Sequence, residues 1–147
     1  MKKRILLPLA ALLCLALLAG CKAMAPGTAF DADSLSKAQK IVVADAGGNE
    51  KTVLTEKADI DAFVDAVNVK GWKFAELPEG LTGAGSFTLW QVETITALIG
   101  EKEAKANEIC TFRIYQDGDY LTIETGLMDF PFAIPQETAD CLRSMAA

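Results

Sequence analysis

The sequence predicts an α+β fold: one antiparallel sheet, a hairpin and then a strand meander, packed against two helices in a single domain over residues 41–147. Three observations predict it. Residues 41–44 with 52–55, and 108–115 with 120–125, are runs rich in β-branched and aromatic residues, each pair joined by a Gly-containing turn. Ile60, Phe63, Val64 and Val67 fall at i, i+3, i+4, i+7, the spacing of one helical face. After Pro135, a suitable first-turn residue, Gln136 to Met145 reads as a closing helix with Leu142 and Met145 inward.

Ahead of the domain, Met1-Lys2-Lys3-Arg4 sets three cations before an apolar run, Ile5 to Ala19, interrupted only by Pro8 and Cys14. That is the layout of a signal peptide, and the run is shorter than the about 20 apolar residues needed to span a bilayer. It closes on Leu18-Ala19-Gly20-Cys21. Small side chains at Ala19 and Gly20 let an extended backbone enter a peptidase, and Cys21 offers the nucleophilic thiol at that boundary.

Residues 1–21 resemble the precursors of bacterial lipoproteins. The resemblance implies a diacylglyceryl group on the Cys21 thiol, removal of residues 1–20, and a lipid-anchored protein on the extracytoplasmic face of the cell membrane. Lys22 stands where Asp resembles an inner-membrane retention signal, so an outer membrane, where the organism has one, stays open. Two or three acyl chains, at about 0.8 kcal/mol per buried CH₂, hold a protein stably where one is marginal.

Of the 14 Lys and Arg, three leave with the signal and none of the 20 Asp and Glu does, so the remainder carries −9. Such acidity argues against nucleic acid as partner and against electrostatic docking on anionic lipid, both of which want clustered cations. The lipid on Cys21 is then the membrane contact, and solubility is the simplest account of the acidity.

Residues 21–40, rich in Ala, Ser, Asp and Gly, read as a lipidated tether, with a helical turn over 33–39 capped by Asp33 or Ser34. The nineteen residues from Lys22 to Lys40, if flexible, set an r.m.s. separation of about 25 Å. In the first hairpin, Gly47-Gly48-Asn49 supplies the turn. The helix after Thr55 carries Asp59, Asp61 and Asp65 on its outer face and ends at Asn68 and Gly71.

Trp72 and Phe74 follow, then the irregular AELPEGLTGAG. Ser86 to Thr96 alternates as a strand and extends toward Ile99; Gly100 to Asn107 reads as a polar connection with helical character. Glu108 to Tyr115 and Tyr120 to Thr125 form the clearest hairpin, turning at Asp117-Gly118. Gly126 to Ile134 is apolar enough for a strand, which Pro131 demotes to an edge or an irregular one.

The sequence contains no His, which removes Ser-His and Cys-His pairs and the commonest metal ligand. No phosphate-binding Gly loop, G-x-S-x-G elbow or CxxC is present, and no cofactor or metal site is expected. Asp117 and Asp119 lack the remaining ligands of a calcium loop and fit a hairpin turn. Cys110 shares strand parity with Phe112 and Ile114, and Cys141 neighbours Leu142. A disulfide between them and two separate buried thiols both fit, because parity gives direction and not distance.

Trp72, Phe74 and Trp90 flank the Gly-rich loop and are candidates for a binding surface toward a protein or a cell-wall glycan. The expected function is a non-enzymatic lipoprotein domain that binds an envelope protein or cell-wall component. A small-ligand carrier or sensor is the alternative, and a carboxylate-based enzyme comes third.

Overall fold

The computed structural model describes residues 32–96 and 102–147. The expected signal peptide, Cys21, the first part of the expected tether and the expected extension of the strand to Ile99 lie outside the described residues. A single helical turn, α1 (Ala32–Leu35), leads into β1 (Lys40–Asp45) and β2 (Glu50–Leu54). Helix α2 (Lys57–Val67), a 3-10 turn (Val69–Gly71) and the two-residue β3 (Lys73–Phe74) come next. Then follow β4 (Gly83–Thr96), β5 (Lys102–Tyr115), β6 (Tyr120–Glu124), β7 (Asp129–Ala133) and α3 (Gln136–Ala146).

The strands form one antiparallel sheet of seven in the order β2-β1-β4-β5-β6-β7-β3, and with three helices this is the α+β, single-domain arrangement expected. Local chemistry sets its turns. In the β1–β2 hairpin Gly48 takes φ 80°, and the Asp45 carboxylate accepts hydrogen bonds from the Gly47 and Asn49 amides at 2.8 and 2.9 Å. Those bonds, Asn49's foremost, hold the Asp45 carboxyl below its ordinary range. Asn68, with φ 45°, ends α2 in the left-handed conformation that Asn tolerates.

Alternation decides the faces. Ile41, Val43, Phe87, Leu89, Cys110, Phe112, Ile114, Leu121 and Ile123 are buried on one face of the sheet, where Phe63 and Val67 of α2 and Leu142 of α3 pack against them. Phe63 lies 5.2 Å from Phe87 and 6.3 Å from Phe112, ring centre to ring centre. Helix α3 approaches so closely that a Cβ on Gly85 would stand 2.5 Å from the Ala146 Cβ and 2.7 Å from the Ala44 carbonyl oxygen. In that helix Ala146 is buried and Met145 exposed, a correction to the inward side expected for Met145. The helix is rotated by about one residue from the sequence reading, because small Ala139 and Ala146 permit the close approach.

Two connections join strands that run in the same direction, β2–α2–β3 and β3 to β4. They cross the sheet in opposite senses, so the right-handed rule puts them on opposite faces. Segment 75–82 leads from β3 at the sheet's edge to β4 across four inter-strand gaps, about 19 Å at 4.8 Å each, with a turn at Gly80, whose φ is 79°. Tyr115 and Thr122 are buried on the face away from the helices, their hydroxyls 2.8 Å apart.

Several expectations are revised. Residues 32–39 belong to the domain: Leu35 and Ala38 are buried, so the tether ends before residue 32. Residues 102–107 continue β5 where a helical connection was expected, their weak β propensity overridden by pairing with β4. Strand β7 is not an edge, since β3 flanks it. The Ala75 amide donates to the Pro131 carbonyl at 3.2 Å, which places the nitrogen of Pro131 on the β3 side, so its missing N–H costs the β6 ladder nothing.

Candidate functional site

Most of the sheet is flanked on both sides, but the β4–β5 ladder outruns its neighbours. Strand β1 pairs with β4 only over 85–90, and β6 pairs with β5 only over 111–114. Beyond those limits β4 and β5 pair with each other alone, up to Thr96 opposite Lys102. Six residues at about 3.4 Å each carry this arm about 20 Å past the sheet. Its base is the bulge where Leu89 faces Cys110 but Trp90 faces Glu108, leaving Ile109 as the extra residue.

The arm's two edges are treated differently. On the β4 side, the Gln39 amide donates to the Trp90 carbonyl at 2.8 Å, and the Val92 amide donates to Gln39 Oε1 at 3.1 Å. One residue thus supplies a donor from its backbone and an acceptor from its side chain, ending that edge as a strand would. On the β5 side, among the described residues, no strand pairs with the edge above Thr111. Its outward amides and carbonyls are an open template for another chain.

Beside this edge stands the β6–β7 turn. Thr125 ties it with three contacts to Met128: amide to carbonyl at 3.2 Å, hydroxyl to carbonyl at 2.9 Å, and a return bond from the Met128 amide at 3.3 Å. Gly126, at φ 79°, provides the positive dihedral. The outcome is a held turn that presents Leu127 at 94% exposure and Met128 at 61%. Among the described residues these are the two most exposed large apolar side chains.

Between the turn and the arm lies an open notch of about 620 Å³, lined by Glu108, Glu124, Gly126, Leu127, Met128 and Asp129. Glu124 is held by Arg113, whose Nε and Nη2 donate at 2.6 and 3.2 Å; this bond keeps the guanidinium pKa above its ordinary value. Glu108 accepts from the Thr111 hydroxyl at 3.0 Å, which leaves Thr88, 2.9 Å from Thr111, as donor to it. With Glu124 neutralised by Arg113, the notch offers Glu108 and Asp129 as fixed negative charge beside two apolar side chains.

The residues singled out from sequence do not assemble here. Trp72 is half-buried, its indole donating to the Val67 carbonyl at 2.9 Å and its ring 5.6 Å from Phe112. Phe74 leans on Phe132 at 5.7 Å near the β3 edge, and Trp90 shares strand parity with Thr88 on the other face. They do not make one surface. Cys110 and Cys141 are free thiols, the first buried and the second half-buried. Burial, and secondarily Glu108, push the Cys110 thiol up to about 12, so it stays protonated and inert as a nucleophile.

Asp117 and Asp119 flank the β5–β6 turn, where Gly118 takes φ 76°. Arg143 of α3 ties that turn down, donating to the Tyr115 and Gly118 carbonyls at 3.1 and 2.9 Å and reaching Asp119 at 3.4 Å. Among the described residues no three His, Cys, Asp or Glu side chains are placed to hold a metal ion, and no helix is long and apolar enough to cross a membrane. Family models, curated proteins and solved structures give no match to this chain.

Proposed function

We propose that the chain is a lipid-anchored extracytoplasmic lipoprotein whose α+β domain is a non-enzymatic binding module, working on a protein or other envelope component close to the membrane. The observation that carries the binding role is the open β5 edge beside the Leu127–Met128 turn and its acidic notch. A strand edge left unpaired and an apolar pair held in water are two liabilities a domain of this size sheds unless a partner uses them.

The anchor rests on the sequence. Leu18-Ala19-Gly20-Cys21 follows a signal-like apolar run, and ten residues, 22–31, separate Cys21 from α1. Even fully extended they reach about 35 Å, so a lipid on Cys21 keeps the domain within one domain diameter of the bilayer. The absence of His, with no basic cluster to hold an acidic chain at a membrane, favours lipid anchoring and binding over catalysis.

Fractionation of cells expressing Cys21→Ser tests the anchor. The wild-type protein is expected in the membrane fraction and the variant in the soluble extracytoplasmic one; a variant that stays with the membrane overturns the lipid anchor.

A further inference from the structure

We infer that the notch and the β5 edge form a strand-addition site, taking an extended peptide segment that carries cationic and apolar side chains in alternation. This rests on the reading of the domain as a binding module and names how it binds. Strand β6 stops at Glu124, and among the described residues no strand pairs with β5 alongside residues 105–110 on that side. A peptide entering there continues the line of β6 and gains the ladder hydrogen bonds that β5 leaves open.

Side chains on such a peptide alternate between the two faces. Glu108 shares a face with Thr111 and Thr88, so a cation at that level of the added strand meets a carboxylate; Asp129 offers a second at the turn. Leu127 and Met128 stand at the mouth of the same position and give an apolar side chain something to cover. On the opposite edge Gln39 already occupies the Trp90 carbonyl and the Val92 amide. A second copy of this chain is a poor occupant: with residues 1–20 gone each chain carries −9. An anionic bilayer is disfavoured by the same charge.

The test uses the full-length protein in detergent and three labelled peptides of about ten residues: alternating Lys and Val, alternating Glu and Val, and the Lys-Val peptide with every backbone nitrogen methylated. The methylated peptide has the charge of the first and has no N–H to donate to a ladder. Saturable binding of Lys-Val alone is expected, with amide-exchange protection gained over residues 105–110. It should weaken by roughly tenfold in the surface variant Glu108→Lys/Asp129→Lys and also fall in Leu127→Ser/Met128→Ser.

Equal binding of the methylated peptide reduces the effect to charge attraction and overturns the proposal. So does binding that leaves 105–110 unprotected, protection of that edge by concentrating the protein alone, or no binding. None of these outcomes touches the Cys21→Ser fractionation, so the anchor and the strand-addition site fail separately.

Discussion

The two halves of the β4–β5 ladder share the same strands and the same antiparallel register, yet they are different objects. In the half nearest the turns, Phe87, Leu89, Cys110 and Phe112 lie in the core, with β1 on one side, β6 on the other and two helices above. In the half beyond Trp90 and Glu108, each strand has among the described residues only the other as a ladder partner, apart from the cap that Gln39 supplies. The change comes at the Ile109 bulge. Pairing alone therefore makes a ladder, while neighbours decide whether it becomes a core or an edge. A strand pair without a third neighbour is marginally stable by itself, so the arm is carried by the half that is packed.

The comparison is broken most severely by emptying the packed half. Phe112→Ala removes a ring that meets both Phe63 and Trp72, and a loss of about 3–5 kcal/mol is expected in denaturant unfolding. A loss below about 1 kcal/mol would mean that this half is not the stabilising one. Crowding it instead is a gentler insult. Gly85→Ala pushes a methyl into Ala146 and the Ala44 carbonyl, and a cost of about 1–3 kcal/mol is expected by the same measurement, recovered only in part by Ala146→Gly because the carbonyl cannot retreat.

Legibility in the sequence follows the same division. The packed half and its helix read correctly because Ile60, Phe63, Val64 and Val67, and the alternation through Cys110, Phe112 and Ile114, report burial directly. The turns at Gly48 and Gly118 read correctly because positive φ selects Gly. The arm did not. Residues 102–107, Lys-Glu-Ala-Lys-Ala-Asn, have no apolar alternation, and what makes them a strand is the register with β4.

Gln39 was equally hidden, since a side chain standing in for a ladder partner leaves no periodic trace. The notch was missed because its parts, Glu108, Glu124 and the Leu127–Met128 turn, are brought together by β5–β6 pairing across many residues of chain. Trp72, Phe74 and Trp90 drew attention as aromatics near a Gly-rich loop, but that loop is a strap crossing the sheet; Trp72 and Phe74 pack on Phe112 and Phe132, and Trp90 belongs to the other face.

The most direct test of this division is residue-resolved amide hydrogen exchange along β4 and β5 of the free protein. Exchange at 85–89 and 110–114 is expected to require global unfolding, whereas 91–96 and 102–107 exchange through local opening, orders of magnitude faster. Gln39→Ala should speed exchange at Val92 further while leaving the packed half unchanged. A single uniform protection along the whole ladder, with no break at the Ile109 bulge, would contradict the account of an open edge on a closed core.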